Sequence, residues 1–596
     1  MDHSNLVTLD VECYKNYLLV MFRKVSDGKV IFFEKMNDSP LNIKNIFHIL
    51  DKYTVITFNG IKYDALIVEA ACAGFNNEAI HKVSTAIIEG DLQPWQVRKQ
   101  FGFPRVDFNH IDLLEVAPLK AGLKIYAGRL HTEFLEDLPI PPEAIITDDD
   151  LPKLRSYCGK DNYNTYLLFS TLEPEVELRS SMSEEYKVDL RSKSDAQIAE
   201  AVIKSEMEDK YGFTPKRPKV TEGTEYYYKA PSNLVFETDI MKEIFSEFTS
   251  NPFIVQKSGH VALPDSLRNK KFKIGGTTYK IGVGGLHSCE KSVRHTNENC
   301  ILRDYDVASY YPRIILNNRL FPKHIGEPFL DIYDSIVRRR LKAKKEGNKV
   351  INESLKITIN GSFGKFGSKW SCLYSPDLMM QVTVTGQLTL LMLIERLELN
   401  GISVISANTD GIVVKMDKSK EELSDSIVSD WEFDTNYEME STDYLSLNSR
   451  DVNNYIAVKK GDIKGKGAYA DQREHYYRLR SNPGNDICTE AVKLFLSKGI
   501  PVEDTIRSSK DITKFLTLRT VNGGAVKDGT LLGKAIRWYY GAHELDAIYY
   551  NTNGNKVPKS DNGVPLMDLP EEFPSDVDYD WYIEESKRIL KDIGYK

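Results

Sequence analysis

Cysteine pairs are the first thing this chain lacks. Its seven cysteines, Cys13, Cys72, Cys158, Cys289, Cys300, Cys372 and Cys488, are scattered without a CxxC spacing. That argues against zinc, an iron–sulfur cluster or a disulfide framework, and for reduced, mostly buried thiols. No stretch approaches the roughly 18 apolar residues of a membrane span, so no membrane partner is expected. The opening MDHSNLVTLDVE enters a strand pattern without a basic region or a cleavable apolar segment, which leads us to expect an intracellular protein. Net positive charge is missing too. A formal charge of −8 argues weakly against coating nucleic acid with the whole surface, yet it allows a basic groove in an acidic body. There is no internal repeat and no low-complexity tract.

What is present is an ordinary globular composition. At roughly 100–200 residues per domain, 596 residues imply three to five domains, and 41% apolar content lets each bury a core. Charge is uneven: VRRRLKAKK (Val337 to Lys345) holds six cations in nine residues, while MDLPEEFPSDVDYDWYIEES is acidic. Breaks are expected near Thr171 to Ser181, around the Gly-rich Ile274 to Ser288, and after Lys464 to His475.

Up to about Leu172 the patterns alternate, with strand-like NLVTLDVE, NYLLVMFRKV, VIFFEKM and YTVITFNG and helix-like YDALIVEAACAG and LPKLRSYCGKDNYNTYLLFSTL. This reads as α/β. Asp10 and Glu12 lie two apart on one strand and share a face, an arrangement that is costly unless a cation sits between them. Asp64 and Asp161 fall at element starts, with Tyr157 one helical turn before Asp161. Singly, each of these acids reads first as a helix cap or a surface group. Together, DxE, Nx3YD and Yx3D in this order resemble the three exonuclease motifs of the family B DNA polymerases. The resemblance implies a ribonuclease-H-like fold in which Asp10, Glu12, Asp64 and Asp161 hold two Mg²⁺ ions, Tyr157 orients a water, and Asn59 shapes the single-stranded end. Lys124, in AGLKIYAGRL, would belong to the strand-binding stretch.

The second half carries matching motifs. LRDYDVASYYPRIILNN (Leu302 to Asn318) resembles motif A of that family. By resemblance Asp306 and the Val307 carbonyl are metal ligands, Ser309 and Tyr311 line the nucleotide, and Tyr311 lies under the sugar. Asp304 shares the Asp306 face but stands at the wrong distance from Ser309, so it reads as a solvated neighbour. SLKITINGSFGKFGSK (Ser354 to Lys369) is similar to motif B, with Gly361 in place of the usual Ser. Lys356, Asn360 and Gly364 are spaced i, i+4, i+8 on one helix face, two groups for a nucleotide and a glycine that lets a base pair approach. Arg340 and Lys344 form an Arg-x3-Lys pair expected antiparallel to motif B; Arg340 is chosen over Arg338 and Arg339 on spacing. SVISANTDGIVVKM (Ser403 to Met416) sits where motif C belongs, a hairpin usually tipped Asp-Thr-Asp. Here Asn408 replaces the first acid, which leaves Asp410 as the metal ligand shared with Asp306.

RDVNNYIAVKKGDIKGKGAY (Arg450 to Tyr469) resembles the segment that grips primer–template, with Tyr455, Lys464 and Lys466 on backbone phosphate. GGLHS (Gly284 to Ser288) falls where the family has a Tyr-x-Gly-Gly/Ala linker, without its Tyr. The resemblance divides the chain into an exonuclease domain (1–175), a connecting region and start of the palm (176–290), palm with motif A (291–330), fingers with motif B (331–370), palm with motif C (371–470) and a helical thumb (471–596). It implies primer–template DNA and dNTPs as partners, Mg²⁺ at both centres with Mn²⁺ able to substitute, and accessory proteins such as a helicase, a primase or a single-strand binding protein. The first exonuclease motif begins at residue 10, which points to a compact polymerase of a bacteriophage or mobile element, in the host cytoplasm if phage-encoded. Protein-primed members carry insertions between the motifs. Asp306 to Lys356 is only 50 residues and Gly364 to Asn408 only 44, so an ordinary primer is expected. The rival readings are protein priming and an exonuclease with a non-catalytic, polymerase-like DNA-binding half.

Overall fold

Strand Leu6–Tyr14 is apolar on one face throughout and polar on the other at Thr8, Asp10 and Glu12, and it is flanked on both sides. In the computed structural model, which describes residues 1–90, 92–470 and 478–595, it is the centre of a five-stranded sheet. It pairs antiparallel with Tyr17–Lys24 and parallel with Thr54–Thr57, which in turn pairs with His110–Asp112. Alternation then sorts the helices. Leu18 and Val20 pack with Leu66, Ile67 and Val83 on one face, while Tyr17, Leu19 and Met21 meet Leu154 and Cys158 on the other. The polar residues Thr8, Asp10 and Glu12 face the long helix Leu151–Tyr186, where Thr8 donates to Asn162.

That helix runs unbroken across the break expected at Thr171–Ser181, with Pro174 inside it. A proline in a helix interior costs about 3 kcal/mol. Leu168, Phe169 and Leu172 before it and Val176 after it are fully buried in one core, and this packing carries the helix through. A helix not anticipated from the sequence, Asp195–Tyr211, follows behind a Ser194 capping box.

A seven-stranded antiparallel sheet dominates the middle, in the order Met439–Asp443, Ile301–Val307, Gly411–Met416, Ser403–Asn408, Leu286–Ser288, Thr277–Ile281 and Lys271–Ile274. The Gly-rich stretch Ile274 to Ser288 is therefore not a break. It is two hairpin strands of this sheet, the glycines forming its turns. Beneath lies helix Pro376–Leu399, the one helix among the described residues long and apolar enough to cross a membrane, contrary to the sequence reading. Its polar residues hid it from a search for an unbroken apolar run: Thr383, Thr385, Gln387, Thr389 and Glu395 are all buried here. With 83% of its most apolar stretch inside the protein, it is the core helix of the largest cluster.

Two further helices, Pro328–Lys345 and Lys349–Phe366, form an antiparallel pair beside this sheet. A four-stranded sheet, Val293–Thr296, Ser446–Asp451, Asn454–Lys459 and Asp462–Lys466, adjoins it. The break expected after Lys464 to His475, like the start of the 471–596 segment, lies partly outside the described residues. The remainder is not simply helical. Helices Asp486–Lys498 and Val502–Ser508 are followed by the long hairpin Thr517–Lys527 and Thr530–Tyr540, and IRWYYG lies on its second strand. β-Branched and aromatic residues there, with Ile536 and Trp538 fully buried, favour the strand.

Candidate catalytic centres

The first centre forms where the Leu6–Tyr14 strand meets the long helix. Asp10, Glu12 and the Cys158 thiol bring their ligand atoms within 4.8 Å of one another, and Cys158 donates to Asp10 Oδ2 at 3.3 Å. Asp64 and Asp161 are buried beside them. Burial first, then the Asp161 charge, push Asp10 up to about 7. Burial and the charges of Asp10 and Asp161 raise Glu12, and burial with Asp10 and Asp112 raises Asp64. Asp10, Glu12 and Asp64, which each resist ionisation, form with the neighbouring Asp161 carboxylate a hard-oxygen donor set for a divalent cation. Lys124 reaches into this acidic cluster. Its ammonium pairs with Asp161 and lies 4.2 Å from the centroid of the Tyr157 ring, inside the acidic cluster whose charge attracts it.

Two supporting residues escaped sequence reasoning. Cys158 precedes Asp161 by three on the same helix face, and that spacing could have found it. Asp112 ends a three-residue strand and accepts from the backbone N–H of Asn59 (2.8 Å), Ile61 (2.9 Å) and Leu114 (3.0 Å). It fixes the loop in which Asn59 adopts a left-handed backbone, φ 65°. No sequence signal marks it.

The second centre lies at the end of the seven-stranded sheet. Asp306 pairs with Gly411, and Val307 N–H donates to the Asp410 carbonyl at 2.8 Å, so Asp410, in the turn between strands Ser403–Asn408 and Gly411–Met416, stands beside the strand that carries Asp306. A Cβ on residue 411 would overlap the Asp306 carboxylate, so only glycine leaves it room. Burial and the Asp306 charge raise Asp410, opposed by Lys466 and Lys464. Thr409 takes a left-handed backbone at the hairpin tip, φ 59°. Asn408 is turned to structure: its amide donates to the Val452 carbonyl (3.3 Å) and to Asn453 Oδ1 (3.2 Å).

Asp304 is not solvated. It is buried, accepts from the Tyr444 hydroxyl, and lies 3.8 Å from Lys464 Nζ, because the adjoining four-stranded sheet closes over it. Burial and Asp306 raise its carboxyl. Asp304, Asp306, Asn408, Tyr455, Lys464 and Lys466 line one cleft, with the Lys466 ammonium 5.9 Å from the Tyr455 ring centroid.

The helix after Ile301–Val307 opens at Ser309, whose backbone is left-handed (φ 53°). The Tyr311 ring stacks on Phe363, centroids 4.4 Å apart, and its hydroxyl donates to the Gly284 carbonyl at 3.0 Å. Gly284 to Ser288 thus belongs to the site, and Thr409 N–H donates to Leu286 at 2.8 Å. Along helix Lys349–Phe366, Lys356, Asn360 and Gly364 share an exposed row. Among the described residues Lys356 pairs only with its neighbour Glu353, at 3.3 Å. Opposite, Arg338 pairs with Asp334, and Arg339 with Glu185 and Glu206, whereas Arg340 has no carboxylate partner among the described residues. Lys344 lies 3.9 Å from Glu440.

Fold and sites define a mixed α/β, multidomain chain with two acidic centres on two separate sheets. No family model matches it. Over 105 residues, 16% of the chain, it is 30% identical to DNA polymerase II of Escherichia coli (strain K12), a match spanning 13% of that protein's length. Its structure aligns over 99% of its length with 77% of the family B DNA polymerase from the hyperthermophilic archaeon Pyrobaculum calidifontis, at 14% identity and a TM-score of 0.40.

Proposed function

We propose that the chain is a template-directed DNA polymerase with a proofreading 3′–5′ exonuclease, extending an ordinary primer. The observation that carries this reading is the second centre: Asp306 on its strand and Asp410 in the turn of the paired hairpin, beside a helix whose exposed row presents Lys356, Asn360 and Gly364. In this reading residues 1–175 are the ribonuclease-H-like exonuclease, 291–330 and 371–470 the palm, 331–370 the fingers and 471–596 the thumb.

The donor sets fit hard divalent cations such as Mg²⁺, since both centres offer carboxylates and no thiolate: the Cys158 thiol is held protonated by burial and the neighbouring acids. Asp306, Asp410 and the Val307 carbonyl would hold the ions at one centre, and Asp10, Glu12, Asp64 and Asp161 at the other. Bound metal would supply activation of the attacking oxygen and charge neutralisation on the leaving group. The chain's own residues do the rest. Arg340, Lys344, Lys356 and Asn360 bind triphosphate, Tyr311 on Phe363 forms a flat platform under the sugar, and Ser309 turns the backbone toward phosphate. Tyr455, Lys464 and Lys466 hold the primer–template backbone, Asn408 braces the hairpin tip, and Asn59 and Tyr157 position the strand end in the exonuclease. An origin in a bacteriophage or mobile element, an intracellular location and replication accessory partners belong to the same reading.

Primer extension on a 5′-labelled primer–template tests it. Extension with dNTPs and shortening without them is the expected pair of results. Absence of extension with shortening retained would leave the exonuclease with a DNA-binding half.

A further inference from the structure

Just past the C-terminal end of the Lys349–Phe366 helix, Trp370 stands 74% exposed. A single exposed indole needs no explanation, but this one is ringed by cations. The Arg217 guanidinium lies 5.3 Å and Lys369 Nζ 5.4 Å from its ring. Lys369 also donates to the Lys257 carbonyl at 3.2 Å, which sets the exposed Lys257 turn against the same spot. Lys216 and Lys219, exposed on either side of Arg217, add two more charges. The nearby acids are spent elsewhere: Glu200 is taken by Lys365 and Lys204, and Asp377 by Lys323. Among the described residues no carboxylate pairs with Arg217, Lys257 or Lys369, although the chain as a whole is acidic.

An exposed aromatic face among unneutralised Lys and Arg is the chemistry of single-stranded nucleic-acid binding, in which a base stacks on the ring and phosphates lie on the cations. Its place in the fold selects which strand. The exposed row Lys356, Asn360, Gly364 runs along the helix toward Trp370, with the cationic end farthest and glycine, the residue that admits a base pair, nearest. A strand leaving the nascent pair at the Gly364 end meets Trp370 next. We propose that Trp370 with Arg217, Lys257 and Lys369 binds the unpaired template strand ahead of the site, an assignment that rests on the polymerase reading above.

The test compares affinities, by fluorescence anisotropy, for one primer–template with a long 5′ template overhang and the same duplex with a one-nucleotide overhang. Wild type should prefer the long overhang roughly tenfold, the scale of one stacked base with its phosphates. Trp370→Ala should bring the ratio close to one, and Trp370→Phe should restore most of it. Arg217→Ala with Lys257→Ala removes two cations and should lower the salt dependence of long-overhang binding by about 1.4 in logarithmic slope. Because Trp370 is exposed, its loss leaves no cavity. An unchanged ratio in Trp370→Ala, or no preference in wild type, overturns the proposal. A single-stranded oligothymidylate of about 12 nucleotides gives a second arm independent of polymerase activity, in which Trp370→Ala should bind roughly tenfold more weakly. If that arm behaves as stated while no variant or wild type extends a primer, the polymerase reading fails and the strand-binding patch stands. If extension occurs and the oligonucleotide binds Trp370→Ala as tightly as wild type, the patch assignment fails alone.

Discussion

At the residue scale the contrast between Asn408 and Asp410 is the sharpest. Asp410 is the acid held next to Asp306, whereas the Asn408 amide is consumed by Val452 and Asn453. On the proposed function, Asp410→Ala should therefore reduce single-turnover extension on the order of 10³-fold or more, since the proposed two-ion site could not assemble on Asp306 alone. Asn408→Ala removes these two hydrogen bonds and the one its oxygen accepts from the Thr409 hydroxyl, and should cost about 1–2 kcal/mol of stability with a far smaller rate loss; equal collapse of both variants would make the Asn408 oxygen a ligand. The Asp10–Glu12 cluster gives a pH prediction. Asp10 titrates at about 7 in the folded chain against an ordinary 3.8. The folded form keeps a proton that the unfolded chain has released, so the group's contribution to stability is full below about 4 and is lost as pH rises through 7. Metal-free wild type should thus lose more melting temperature between pH 5 and 8 than Asp10→Asn with Glu12→Gln, and Mg²⁺ should raise it more at pH 8 than at pH 5. Calorimetry with and without chelator decides this; parallel curves would mean the carboxylates are not clustered in solution. Asp10 and Glu12 were legible because strand period 2 places them on one face. Asp304 was misread because its burial comes from a sheet some 140 residues later in the chain, at Tyr444, which no local spacing reports.

At the scale of elements, the strands and helices of the first domain were readable from their apolar periods, but their ends and continuity depended on packing. Pro174 marks a stop in sequence, yet the core on both sides carries the helix past it. Gly361 shows the same dependence in the other direction. Where motif B usually has Ser, a Cβ here would come 2.6 Å from the Asp195 carbonyl and 2.8 Å from Ala199 Cβ, because helix Asp195–Tyr211 packs directly on that side. The departure from the pattern thus reflects a neighbouring helix that the sequence did not announce. Gly361→Ser should destabilise the helix pair by about 1–3 kcal/mol, the usual price of overpacking, despite restoring the common residue. Ala199→Gly in the same chain should recover part of it, as thermal melts of the two variants would show. A neutral or stabilising Gly361→Ser would mean the two helices are not in contact.

At the scale of the molecule, the two acidic centres belong to different sheets and different hydrophobic cores, Asp10 and Glu12 against the five-stranded sheet and Asp306 with Asp410 on the seven-stranded one. They are nevertheless joined by one rod. The helix that carries Tyr157 and Asp161 continues to Glu185, which pairs with Arg339 beside the proposed triphosphate residues. At 1.5 Å per residue, Asp161 and Glu185 stand about 36 Å apart along it. At that separation, with no shared ligand, substitutions should act independently. On the proposed function, Asp10→Ala with Glu12→Ala should abolish 3′–5′ shortening, by about 10³-fold or more, and leave extension within roughly twofold, because only the first acidic centre loses its carboxylates. Asp306→Ala should do the reverse, abolishing extension while shortening of a single strand continues. Matched gels on labelled substrate, with dNTPs for extension and without them for shortening, measure both activities of each variant. If Asp10→Ala with Glu12→Ala removed extension as completely as shortening, the rod would be transmitting more than position, and the division into two centres would be wrong.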